Sequence, residues 1–113
     1  MKIAESKANG AQVVSLSGRF DTLAAAEMQK AFQAAVERGE KWLVVDLTGV
    51  DYLCSAALGA FVALTKQARA AGGQARFCAP RGLVRQFFDI TGISFRVDLF
   101  ATRADALAGF PPS

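Results

Sequence analysis

The run Trp42-Leu43-Val44-Val45-Asp46-Leu47 is almost free of polar residues. It is short, apolar at consecutive positions and β-branched at its centre. A strand with one wet face would alternate; this one suits a strand buried on both sides, as in the middle of a parallel sheet. Parallel neighbours need crossover connections, usually helices, so helical segments are required on either side of it.

Those segments are present. Lys2–Lys7 and Gln12–Ser17 read as two strands joined by Asn9-Gly10, two residues that tolerate the positive φ of a tight hairpin. Gly18-Arg19-Phe20-Asp21-Thr22 punctuates the chain, with Asp21 or Thr22 able to cap a helix. From Leu23 to Arg38 the apolar positions Ala24, Met28, Ala31, Phe32, Ala35 and Val36 recur at helical spacing, and Gly39 stops the run. After the apolar strand, Val50 to Gly59 forms a hinge into a second helix over Ala56–Ala71, ended by Gly72-Gly73. Phe61 and Leu64 on it are read as core, with Lys66, Gln67 and Arg69 toward the other side.

Ala75–Ala79 is the fourth strand, closed by Pro80. Arg81–Ile90 is a third helix with Leu83, Val84, Phe87 and Phe88 inward and Arg81, Arg85 and Asp89 outward. Phe95–Leu99 reads as a short edge strand. Thr102-Arg103-Ala104-Asp105 opens a last helix to about Ala108, and Pro111-Pro112-Ser113 as a frayed end. The order is ββαβαβαβα: an α/β fold with a mostly parallel mixed sheet after an N-terminal hairpin. With no linker or repeat, residues 1–113 are expected to form one domain, its core at about 12–108.

Composition narrows the function. The chain has no His, which removes His-based acid–base catalysis, Ser-His and Cys-His pairs and most zinc sites. No enzyme activity, metal or cofactor is expected. The charge of +3 is spread along the chain without a basic run, so nucleic acid is not an expected partner. No apolar run reaches a membrane span and the start lacks a signal-peptide pattern, so a cytoplasmic protein is expected. Cys54 and Cys78 suit small buried groups better than a disulfide.

In open α/β folds, the loops after the carboxyl ends of strands carry function. Here these are Gly18–Thr22 and Val50–Ser55, which bring Asp21, Asp51 and Ser55 to one edge if their strands are neighbours. Ser55 has two readings. It can be the N-cap of the second helix, a common post for serine. It can also be a hydroxyl held where helix N–H groups and the helix dipole welcome an anion. The two aspartates occupy capping and turn positions where Asp is common for local reasons. Asp46 reads as a pairing or solvent-edge residue of its strand, and Cys54 as a packed small residue rather than a redox sensor.

Several stretches, in order and spacing, carry a resemblance. They are Gly18-x-Phe20-Asp21, Leu43-Val44-Val45-Asp46-Leu47-x-Gly49-Val50, Ser55-x-x-Leu58-Gly59, Ala70-x-Gly72-Gly73 and Thr91-Gly92-Ile93. From about Val13 to Leu107 the chain resembles a STAS domain, the fold of bacterial anti-sigma-factor antagonists. The family's usual hinge is Asp-Ser-Ser/Thr-Gly-Leu-Gly, and its first Ser is phosphorylated by a partner kinase. That Ser matches Ser55. Cys54 replaces the Asp, Ala56 the second hydroxyl and Ala57 the Gly.

The resemblance implies a regulatory binding module in a partner-switching system. Its partner would be an anti-sigma factor that is also an ATP-using serine kinase, with a phosphatase to reset Ser55. Asp21, Asp51, Cys54, Ser55, Ala56, Leu58 and Gly59 would form the partner surface. A second implied role is a non-phosphorylated STAS subunit bracing the ATPase of a phospholipid-transport ATP-binding-cassette complex, which the altered hinge favours. A nucleotide binder or enzyme rests only on Asp21, Asp51 and a helix start. Oligomeric state is left open.

Overall fold

A computed structural model describes residues 1–111, so Pro112 and Ser113, part of the expected frayed end, lie outside the described residues. The elements are β1 (Lys2–Ala8), β2 (Ala11–Phe20), α1 (Thr22–Glu37), β3 (Trp42–Leu53), α2 (Ser55–Ala70), β4 (Gln74–Cys78) and α3 (Gly82–Thr91). A 3-10 turn (Ile93–Phe95), β5 (Asp98–Phe100) and α4 (Arg103–Leu107) complete them. The sheet order is β1-β2-β3-β4-β5; only β1 and β2 are antiparallel. The expected element order and the central place of Trp42–Leu47 are therefore found.

Local chemistry accounts for the turns. Asn9 and Gly10 both take positive φ, 54° and 86°, as a two-residue hairpin demands. Asp21 is the N-cap of α1 and accepts the Ala24 N–H at 3.0 Å. Gly73 lies against the chain before β3; a Cβ there would come within 2.0 Å of the Lys41 carbonyl oxygen, so only glycine lets β4 start beside β3.

The two faces of the sheet are covered unequally. Val14 and Leu16 of β2, Leu43, Val45 and Leu47 of β3, and Ala75 and Phe77 of β4 point to the front. There they meet Met28 and Phe32 of α1, Phe61 and Leu64 of α2, and Val84 and Phe88 of α3. The Phe61 ring stands 4.9 Å from Phe77 and 6.1 Å from both Phe32 and Phe88, centroid to centroid. The back face carries Ala11, Val13, Val44 and Cys78, covered by Ala106 of α4 and by Phe110. Phe110 lies beyond the expected core limit at residue 108, yet it is buried and packs edge-on against Trp42 at 5.6 Å.

β3 is the longest strand, and it is longer than expected. Leu47 does not end it, because pairing with β2 continues to Phe20↔Leu53 through two irregularities. Each inserts an extra residue in β3, one between Asp46 and Gly49 and one at Asp51. Such bulges break the sequence pattern while keeping the ladder. Asp46 serves the first bulge: its Oδ1 accepts the Thr48 N–H at 2.9 Å and the Thr48 hydroxyl at 2.6 Å. Its Oδ2 accepts Arg103 Nε at 2.7 Å, and Arg103 also donates to Ser15 Oγ at 2.9 Å. Of its two expected roles Asp46 therefore fills the first: it is a pairing residue, buried and bonded to Arg103 so that it anchors α4, and not a solvent-edge one.

Three further expectations are corrected. Residues 93–95 form a 3-10 turn, so the last strand begins at Asp98 rather than Phe95. Leu83 is 75 % exposed, because the front core takes up Val84 and Phe88 of α3, with the half-buried Phe87 packed against it, and leaves Leu83 outside. Helix α2 starts at Ser55, one residue earlier than read from the sequence.

Burial pushes the Asp46 carboxyl up, but the Thr48 and Arg103 contacts outweigh it and hold it below its ordinary value of 3.8. The folded state therefore binds that proton less tightly than the unfolded chain. Its stabilising contribution is complete above the ordinary value and is lost as pH falls through the lower folded one. Arg103→Ala and Asp46→Asn should each cost about 1–2 kcal/mol at neutral pH, at the low end because Arg103 is half exposed. In urea denaturation, the deficit of Asp46→Asn should shrink between neutral pH and about pH 2; a constant deficit would contradict the ion-pair account.

Candidate functional site

The carboxyl ends of β2 and β3 are tied together: the Cys54 N–H donates to the Phe20 carbonyl at 3.0 Å. Asp21 follows one partner of that bond and Ser55 follows the other. The same bond fixes where α2 begins. With its N–H engaged by β2, Cys54 takes extended angles (φ −88°, ψ 169°) and its carbonyl accepts the Ala57 N–H at 3.1 Å. Cys54 is therefore the N-cap, and no side chain makes a cap hydrogen bond there. The expectation that Ser55 caps the helix is corrected. Ser55 is the first helical residue, exposed to solvent.

Its surroundings form a shallow groove of about 470 Å³ between the end of β3 and α3, lined by Asp51 to Ser55 and by Leu83, Val84, Gln86, Phe87 and Ile90. Asp51, the second bulge residue, is exposed at its rim. Ala56 and Gly59 are exposed on the first turns of α2 beside Ser55. Leu58 differs. It is only 7 % exposed and belongs to the front core, so it supports the helix from beneath. Cys54 is half-buried against the same core. The loops thus bring Asp21, Asp51, Cys54, Ser55, Ala56 and Gly59 to one end of the molecule.

Sequence reading missed other members of this surface. Leu83 and Ile90 are 75 % and 83 % exposed, seven residues apart on α3. Helix α3 holds Leu83, Val84, Phe87, Phe88 and Ile90 within ten residues, more than one buried stripe can absorb, and that excess was the available signal. Tyr52 is half exposed, and the Arg19 guanidinium lies 4.1 Å from its ring centroid, a cation–π contact across the paired strand ends. Leu23 projects from the first turn of α1.

Chemically, the arrangement offers an acceptor hydroxyl, carboxylates at the rim and apolar walls. Among the described residues no group of three or more His, Cys, Asp or Glu is arranged to hold a metal ion. Cys78 lies away from this end, under α4; burial, with the Asp46 charge beside it, pushes its thiol up to about 12.

A family model for the STAS domain matches residues 2–106. The chain belongs to the STAS domain family. This STAS domain is 30 % identical over 110 residues to BtrV of Bordetella bronchiseptica, named as a candidate anti-sigma factor antagonist; the match covers 97 % of this chain and 95 % of that one. It is 32 % identical over 103 residues to RsfB of Mycobacterium tuberculosis, an anti-sigma-F factor antagonist, covering 89 % and 82 %. The crystal structure of an anti-sigma factor antagonist from Mycobacterium paratuberculosis superposes with a TM-score of 0.85 at 29 % identity, covering 96 % of this chain and 92 % of that one. No helix among the described residues is long and apolar enough to cross a membrane.

The uncapped start of α2 is testable in this STAS domain. Cys54→Asp and Cys54→Ser give the N-cap an oxygen acceptor, and each should raise stability by about 1 kcal/mol, with Asp also favoured by the helix dipole. Cys54→Ala should leave stability nearly unchanged. Thermal melting of the three variants checks this; a stabilising Ala would refute it.

Proposed function

We propose that this protein is an anti-sigma-factor antagonist of a partner-switching system, acting in the cytoplasm. In its unmodified form it binds an anti-sigma factor through the end of the molecule that carries Asp21, Asp51, Ser55, Ala56 and Gly59. That partner is an ATP-using serine kinase, which transfers phosphate to Ser55, and a phosphatase restores the hydroxyl. The observation that carries the reading is the exposed Ser55 hydroxyl at the first position of a 16-residue helix, on the rim of an apolar groove. The names of BtrV and RsfB support it.

The physics of the switch needs no large shape change. Phosphorylation adds roughly −1.5 to −2 charges to Ser55. The free N–H groups and dipole of the α2 start hold that charge in the free protein, so the fold survives it. Against an apolar partner surface, the same charge costs several kcal/mol to bury, and ~1.4 kcal/mol is tenfold in affinity. One hydroxyl can therefore release a partner.

Ser55→Asp should bind the kinase partner at least roughly tenfold more weakly than the unmodified protein, and Ser55→Ala should bind but accept no phosphate. Titration calorimetry and intact-mass analysis after incubation with the partner and ATP check both. Equal affinity of Ser55→Asp sinks the switch. Stable co-purification with a transporter ATPase, indifferent to Ser55→Asp, would move the protein to the transport-subunit role instead.

Gly59 offers a separate test of the surface. It lies inside α2 with nothing within 4 Å of an added Cβ, so Gly59→Ala should stabilise the helix by up to ~1 kcal/mol. On the proposed partner face the added methyl should nevertheless weaken binding. A stabilised variant with unchanged affinity would remove Gly59 from the interface.

A further inference from the structure

Among the described residues, the back of the sheet is closed by one short piece of chain. The front carries helices of 16, 16 and 10 residues, while the back has α4, with five residues, and the run to Phe110. A five-residue helix has no stability of its own and persists only while it is docked. Its attachments all cross from sheet to strap. Arg103 reaches Asp46 and Ser15. The Arg76 guanidinium lies between the rings of Phe100 and Phe110, 4.8 and 4.2 Å from their centroids. Arg76 Nη1 donates to the carbonyls of Ala106 at 3.0 Å and Ala108 at 3.4 Å. Phe110 meets Trp42.

The docking is imperfect at one atom. Arg76 Nε is buried without a hydrogen-bond partner among the described residues. A buried donor left unpaired works against the closed state, and opening would return it to water. Undocking α4 breaks no strand pairing, because the strap is not part of the sheet and follows its last strand.

We infer that residues 103–110 form a strap that opens as one unit, hinged after β5, while the five strands and the front helices stay folded. Opening uncovers the back band of Ala11, Val13, Val44 and Cys78. The attachments are lost together because each depends on the strap lying flat. The open form is a low-lying local state of the kind native exchange reveals, separate from global unfolding.

Cys78 is fully buried beneath the strap and reports on it. In a Cys54→Ser background it is the one remaining thiol. Its modification by an aromatic disulfide reagent is followed against urea. At low urea the rate should be nearly independent of urea, since strap opening exposes little surface, and should join the steep global-unfolding branch only at higher urea. Arg103→Ala should raise the low-urea rate by roughly tenfold. Ala35→Gly, on the front helix α1, should lower global stability and leave that rate unchanged. Modification that follows the steep branch down to zero urea, or that responds equally to both substitutions, overturns the strap. If a variant does not fold, hydrogen exchange of the unsubstituted protein decides: residues 103–110 must exchange faster than β2 to β4, and equal protection overturns it.

Discussion

Everything here depends on β3 being paired on both edges and buried on both faces. Its apolar half is locked between β2 and β4, with Leu43, Val45 and Leu47 in the front core and Val44 in the back. Its second half outruns β4, whose pairing stops at Asp46↔Cys78, and continues along β2 alone. That overhang is what the candidate functional end is built on. Two bulges let it follow β2 to Phe20, and the bond from Cys54 to Phe20 turns the chain into α2 at a fixed point. Ser55 is displayed because a strand with little freedom ends two residues before it, at Leu53.

Rules acting over a few residues were legible in the sequence, and rules acting across the fold were not. The Asn9-Gly10 turn, the Asp21 cap and the Thr102 cap, which accepts the Asp105 N–H at 3.0 Å, are local and were readable. The length of β3 was hidden because its bulges put Thr48, Gly49 and Asp51 out of step with any two-residue period. The cap of α2 was misread by one position because what engages the Cys54 N–H is Phe20, on another strand. The Asp46–Arg103 pair spans 57 residues, a separation no pattern reports. At the site, Ser55 and its neighbours were readable through motif order. The α3 wall of the groove was not, because Leu83 looks like core until the helix is seated and the helix-end Ile90 falls on neither expected face.

Cysteine rather than an acid at position 54 sets the balance at the helix start. An aspartate there would both cap α2 and place a carboxylate beside the hydroxyl, two roles that cysteine gives up. What remains is a less tightly finished helix end with apolar neighbours, and charge supplied from a little further off by Asp51 and by Arg19 over Tyr52. Such a surface is apolar and without charge at its centre. A modification that introduces charge is then the largest change it can undergo.

Strand order in the sheet follows strand order in the chain. Each crossover advances by one position, so every new unit is added to an edge its predecessor has just formed. Little loop-closure entropy is spent on distant pairings, which favours rapid folding for a parallel sheet. Synthesis delivers the pieces in that same sequence, so the N-terminal hairpin can serve as the template while later strands are still emerging. The order of assembly is thus written into the topology, and the piece that follows the last strand of the sheet is the one that closes the back.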